Sequence, residues 1–149
     1  SVHHIVLSTD NYLVGLDGVY RFTPERQTEG HKRCLREFTS ILTQRYEGSP
    51  PVDLIVDNTN TRPLFMAPYV ALALAYGHKV SILSFRAPAE VCAARNNGRA
   101  PLNVVKEMAE AIEHFNLPAQ WEREGVSYTI VDTSEAYVPA LRVLGPGPP

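Results

Sequence analysis

Nowhere in the 149 residues does a Gly-x-x-x-x-Gly-Lys-Ser/Thr segment occur. That segment is the usual backbone cradle for nucleoside triphosphate phosphates, so phosphate chemistry on this polypeptide cannot rest on it. Cysteine is sparse: Cys34 and Cys92 are the only two, and each lies among helix-type residues. Buried free thiols are expected rather than a disulfide, which suits a reducing cytoplasm. No apolar run approaches the roughly 20 residues that a membrane-spanning helix requires, and no secretory leader is expected. The net charge of −2 gives no general attraction to nucleic acid or anionic membrane. Any nucleic-acid contact would need a local basic cluster. His3 and His4 sit at the N-terminus, and His31, His78 and His114 are scattered without ligand spacing, so none is assigned to a metal. The single tryptophan, Trp121, is read as a packing residue.

What is present is an ordinary globular composition, 44% hydrophobic and 20% charged. The length suits one domain, placed at residues 1–133, with residues 134–149 as a C-terminal tail. The end of that tail, Gly145-Pro146-Gly147-Pro148-Pro149, is expected to be disordered. Short apolar strands are predicted at His3–Ser8, Val52–Asp57, Lys79–Phe85 and Val126–Val131. Thr23-Pro24-Glu25 reads as a helix start, with a capping hydroxyl, proline in the first turn and an acid beside the helix dipole. From there Cys34, Leu35, Phe38, Ile41, Leu42 and Tyr46 recur at three- and four-residue spacing, which predicts one buried helical stripe. Leu13–Tyr20 is expected to be a loop. A second helix, opened by Thr61-Arg62-Pro63 and stopped at Gly77, is apolar nearly all round and is expected to be well buried. Further helices are predicted at Pro88–Arg95 and from Pro101, the latter with Leu102, Val105, Met108, Ile112 and Phe115 on one face. Alternating strands and helices make the fold class α/β, a parallel sheet flanked by helices with right-handed crossovers.

Two strands end in acids. Ile5-Val6-Leu7-Ser8-Thr9-Asp10-Asn11-Tyr12 and Leu54-Ile55-Val56-Asp57-Asn58-Thr59-Asn60 both run from apolar residues into a polar turn. In a parallel sheet such turns share the carboxyl edge, where ligands of α/β proteins bind. Asp10 there can deprotonate an attacking hydroxyl, or simply cap a turn. Asp57 can hold Mg²⁺ or its water shell beside a phosphate, and Asn58, Thr59 and Asn60 add hydrogen-bonding groups or form an Asx turn. An aspartyl-phosphate mechanism would want a second acid two residues beyond Asp57, and Thr59 is not one. Arg95 and Arg99 flank a glycine-containing polar stretch between two helices, a place from which guanidinium groups can close over phosphates or remain surface charges.

Taken jointly, these segments resemble one family. Ser8-Thr9-Asp10-Asn11-Tyr12, then Gly18-Val19-Tyr20-Arg21-Phe22 with Pro24, resemble the segment after the phosphate loop in P-loop kinases of the polynucleotide 5′-kinase type. Val56-Asp57-Asn58-Thr59-Asn60-Thr61, followed by Met66-Ala67-Pro68-Tyr69, is similar to that family's Walker B region and next helix. Arg95-Asn96, Pro101-Leu102 and Met108 resemble its lid and the helix behind it, although Asn97-Gly98-Arg99-Ala100-Pro101 departs from the usual order of glycine and proline.

The resemblance implies an ATP- and Mg²⁺-dependent kinase fold with sheet order 2-3-1-4-5. It implies Asp10 as the base and Arg95 as a lid arginine on the phosphates. Asp57 would serve the metal, and Tyr12, Asn58, Thr59, Asn60 and Arg99 the substrate. The acceptor would be a polynucleotide 5′-hydroxyl or a small molecule. The family's first, central strand and its phosphate loop are expected outside the given sequence, supplied by another segment or a partner chain, or lost. Without that strand its two neighbours carry unpaired backbone groups, which predicts self-association or a partner chain covering the gap. Two functions follow as expectations: a kinase that is inactive as this polypeptide alone, or a kinase-derived binding or assembly module.

Overall fold

The computed structural model describes residues 3–135 and 142–146. The backbone divides into two compact units, residues 1–59 and 60–149, so the expected domain of 1–133 is described as two bodies. The division follows the hydrogen bonding, because the strands form two separate sheets, one in each unit.

The first unit holds β1 (His3–Leu7), α1 (Asp10–Leu13), α2 (Pro24–Thr43) and β2 (Val52–Val56). The two strands pair in parallel with His3 opposite Val52 and Leu7 opposite Val56, so α2 is the crossover that a parallel pair requires. Thr23 starts α2 as its residue type predicts: its hydroxyl accepts the Arg26 N–H at 3.0 Å, and Pro24 fills the first helical position. Gly30, Cys34, Phe38 and Leu42 are buried at four-residue intervals, so the stripe is narrower than the spacing of apolar residues suggested, and Tyr46 lies outside it, exposed. The segment expected as a loop from Leu13 contributes Leu13 to α1, where it is buried, and only then turns at Val14.

The second unit contains α3 (Pro63–Ala75), β3 (Ser81–Arg86), α4 (Ala89–Arg95), α5 (Leu102–Glu113), α6 (Ala119–Arg123), β4 (Ser127–Asp132) and β5 (Arg142–Pro146). β3 and β4 are parallel, with Ser81 opposite Ser127 and Arg86 opposite Asp132. β5 joins β4 antiparallel, which places Gly145 and Pro146 in a strand rather than in an unstructured tail. The remainder of that expectation, residues 147–149, lies outside the described residues. Val105 from α5, Phe115, Val126, Tyr128 and Val131 form the buried interior, and the Phe115 and Tyr128 rings stand 4.9 Å apart, centroid to centroid.

One expectation about packing is corrected. In α3 only Val70 and Ala73 are buried, while Leu64 and Phe65 are 77% and 51% exposed. A helix that is apolar all round has no preferred stripe, and covering the Val70–Ala73 side leaves the opposite side in contact with solvent. Gly77 ends α3 as predicted. Its φ of +78° lets the N–H of His78 reach back to the Ala73 carbonyl at 2.9 Å, satisfying a carbonyl the helix leaves open. No described helix is long and apolar enough to cross a membrane.

Candidate functional site

The parallel register brings the two acid-bearing turns to one edge of the first unit. Leu7 and Val56 are the last paired residues, and the ladder continues one step further because the Asp57 N–H donates to the Leu7 carbonyl at 2.8 Å. Beyond Leu7, Ser8 and Thr9 are buried and Asp10 opens α1. Beyond Val56, Asp57 leads directly into Asn58 and Thr59. Asp10 and Asp57 are both exposed, each at the carboxyl end of its strand. The Asp10 N–H is turned back onto the Ser8 hydroxyl at 3.2 Å.

Asn58, which the resemblance implies as a substrate contact, is hydrogen-bonded at both ends of its amide. Its Oδ1 accepts the Thr9 N–H at 2.8 Å, and its Nδ2 donates toward the Cys34 Sγ at 3.7 Å. Both ends of the amide are therefore engaged inside the unit, joining the turn after β2 to the turn after β1 and to α2. Thr9 also places its hydroxyl 3.1 Å from His31 Nδ1. Sequence reasoning passed over His31 and Cys34 as partners in this network, because a lone histidine and a buried thiol carry no spacing signal.

Tyr12, also assigned to substrate, spends its hydroxyl on Glu37 Oε2 at 2.6 Å, with the Arg33 guanidinium carbon 5.7 Å from the ring centroid. Because Glu37 accepts a hydrogen bond that only the neutral phenol can donate, the Tyr12 pKa is pushed up from 10.0 to about 12. The contact therefore stabilises the folded chain fully below about pH 10 and loses that contribution as the pH climbs toward about 12. An absorbance titration at the phenolate band is expected to show one tyrosine ionising later than its fellows, and Tyr12→Phe should remove that late step. A late step that persists in the variant would assign it to another tyrosine.

Thr59 is exposed and closes the first unit. Asn60, at φ +42°, begins the second with a left-handed backbone that asparagine tolerates better than most residues. The two arginines also belong to the second unit. Arg95, which the resemblance implies as a lid arginine, is bonded within the second unit. Its guanidinium donates from Nη1 to the Thr133 carbonyl and from Nη2 to the Glu135 carbonyl, both at 2.6 Å, so it fastens the end of α4 to the chain leaving β4. Two uncapped carbonyls within reach of a helix-end arginine satisfy its planar fork locally. Arg99 is exposed in a tight turn, with Asn97 and Gly98 left-handed at φ +54° and +77° and the Gly98 N–H bound to Asn96 Oδ1 at 2.9 Å.

A residue not singled out from sequence is a cation with three side-chain hydrogen bonds. Arg86, the last residue of β3, donates from Nε to the Ser84 hydroxyl at 2.8 Å and from Nη2 to the Ile112 carbonyl at 3.0 Å and the Tyr128 hydroxyl at 2.9 Å. A charged residue closing an apolar strand was the available signal, the same one that drew notice to Asp57. Arg86 borders an open cleft whose other charged walls are Lys106, Glu110, Glu113 and Asp132. With Arg86 and Lys106 facing Glu110, Glu113 and Asp132, the charged lining of that cleft is mixed.

Among the described residues no three His, Cys, Asp or Glu side chains converge as a metal site. Two exposed carboxylates at one edge do suit Mg²⁺, which is commonly held by one or two carboxylates with water and substrate phosphate completing its shell. A family model described as an AAA domain matches residues 2–115, which take in both acid-bearing strand ends and α5.

Proposed function

This chain belongs to the AAA-domain family, and on that premise we propose that its β1–β2 edge is a kinase-type phosphoryl-transfer site, silent when the polypeptide is alone. Its architecture, short parallel sheets flanked by helices, is P-loop NTPase-like. The observation that carries the proposal is the 2.8 Å bond from the Asp57 N–H to the Leu7 carbonyl, which keeps two strand-end acids on neighbouring turns. In this reading Mg²⁺-ATP, when bound, supplies the transferable phosphoryl group and neutralises its charge. Asp10 would take the proton of the attacking hydroxyl as that oxygen bonds to the γ-phosphorus and the bond to the leaving ADP breaks. Asp57 would hold the hydrated metal. The acceptor class proposed is a polynucleotide 5′-hydroxyl or a small-molecule alcohol, with Thr59 as a contact beside the two acids. The buried thiol of Cys34 and the half-buried one of Cys92, both free, suit a cytoplasmic protein.

The family order 2-3-1-4-5 is compatible with the parallel pairs β1–β2 and β3–β4 as its 2-3 and 4-5 neighbours. Self-association, or a partner chain at the exposed strand edges, is part of the proposal. A second reading, a kinase-derived binding or assembly module without ATP chemistry, is favoured by one observation: the Arg95 guanidinium is engaged by the Thr133 and Glu135 carbonyls.

The test is transfer of labelled γ-phosphate from ATP to 5′-hydroxyl oligonucleotides by this polypeptide, with light scattering on the same sample. We expect background transfer and a mass above that of one chain. Robust turnover lost in Asp10→Asn would overturn the silence and support the base. Turnover indifferent to Asp10 would refute the site, and a strict monomer at all concentrations would refute the association.

A further inference from the structure

Thr9 is held from three directions by two separate stretches of sequence, the turn after β2 and helix α2. Its N–H is bound by Asn58 Oδ1 at 2.8 Å, from the turn after β2. Its hydroxyl meets His31 Nδ1 at 3.1 Å, on α2. Its methyl group lies where a side chain at Gly30 would intrude, 2.8 Å from an added Cβ, so α2 approaches this turn only because residue 30 has none. Thr9 is 5% exposed and already has helical φ and ψ, −58° and −32°. The direction in which α1 leaves, and with it the position of Asp10, is therefore fixed by where Thr9 sits.

Asn58 follows Asp57 immediately and binds the peptide N–H immediately before Asp10. One side chain thus connects the backbone beside one carboxylate to the backbone beside the other. An asparagine that reads a substrate needs an amide open to it, and this amide already has Thr9 on one end and Cys34 on the other.

We propose that Asn58 is a positioning residue that sets Asp10 relative to Asp57, not a substrate contact. The purpose of that positioning rests on the phosphoryl-transfer reading, whereas the tether itself does not. The test separates the two by following backbone amide exchange in the full chain by NMR, then titrating Mn²⁺ as a probe and watching the Asp10 and Asp57 amides broaden. In Asn58→Ala, exchange at Thr9 is expected to accelerate about 10- to 100-fold, since a local opening no longer has to break that bond. Asn58→Asp keeps an acceptor oxygen and should keep Thr9 slow. Cys34→Ala removes the sulfur partner and should also leave Thr9 slow, which distinguishes a tether from general loosening of the interior. With Mn²⁺, both acids should respond together in the parent chain. In Asn58→Ala, Asp10 should need on the order of tenfold more Mn²⁺ than Asp57, the turn that carries Asp10 no longer being tethered to the turn after β2.

Unchanged Thr9 exchange in Asn58→Ala overturns the proposal, and so does equal acceleration in all three variants. If Asn58→Ala does not fold, fast Thr9 exchange in Asn58→Asp overturns it and slow exchange supports it. Fast Thr9 exchange confined to Asn58→Ala, with no Mn²⁺ response at either acid in the parent, supports the tether and refutes the phosphoryl-transfer reading.

Discussion

Arg86→Ala is expected to lower the stability of the second unit by roughly 2–4 kcal/mol, more than any comparable substitution on its surface. The reason is the company this guanidinium keeps. It donates to the Ser84 hydroxyl, the Ile112 carbonyl and the Tyr128 hydroxyl, so it joins two parallel strands and the end of α5. Tyr128 is 6% exposed and its ring is packed against Phe115, so its hydroxyl cannot simply turn to water when the arginine is gone. Hydrogen bonds from a charged donor contribute more than neutral ones, and an orphaned buried partner costs its desolvation besides. Arg86→Lys should recover only part of the loss, because a single ammonium cannot reproduce the fork. Tyr128→Phe removes one partner and keeps the ring, so it should cost about 1 kcal/mol. Urea unfolding followed by circular dichroism reads all three. An Arg86→Ala midpoint equal to the parent's would show the bonds to be worth nothing net and the arginine to be a surface charge.

How much of this molecule its sequence disclosed depended on whether the signal was local. Thr23, Pro24 and the four-residue stripe through Phe38 are self-sufficient, since cap, first turn and buried face all lie within one helix. The strand-end acids were legible for a related reason: a carboxylate that closes an apolar run must emerge at the sheet edge once the strands are parallel. What stayed hidden was pairwise and distant. Asn58 and Thr9 are 49 positions apart, and Arg95 reaches carbonyls 38 and 40 positions away. No periodicity encodes such meetings, and a residue type alone fits both of the roles it could take. Asparagine after a strand-end acid reads equally as a substrate contact and as a tether. Arginine before a glycine turn reads equally as a lid and as a fastener. The error over α3 had another origin. Its composition gave total hydrophobicity correctly, but burial needs surfaces to cover it, and a helix cannot announce how many of those the fold supplies.

Joining a strand and a Gly-x-x-x-x-Gly-Lys-Ser/Thr loop ahead of Val2 through a short helix is expected to switch on phosphoryl transfer to a 5′-hydroxyl. In that context Asp10→Asn should then reduce turnover by about 10²- to 10⁴-fold, the range by which a positioned general base accelerates proton removal. The size of the effect follows from how little else in the first unit can do the job. Asp57 is held one hydrogen bond beyond the last strand pair and suits the metal, while the Tyr12 hydroxyl is a donor to Glu37 with its pKa pushed up to about 12, so it is no base at neutral pH. Asp57→Asn should act differently, raising the Mg²⁺ concentration needed for half-maximal rate, because an amide is a poorer ligand than a carboxylate for a hard cation. Arg95→Ala should change turnover little, since its guanidinium already serves the Thr133 and Glu135 carbonyls. Steady-state rates at saturating ATP, measured across a Mg²⁺ series, separate these outcomes. Loop-bearing protein that transfers phosphate equally well with Asp10 in place and after Asp10→Asn would remove the base assignment. Loop-bearing protein that binds ATP yet transfers nothing would favour the assembly-module reading, because the two acids would then share an edge without sharing a reaction.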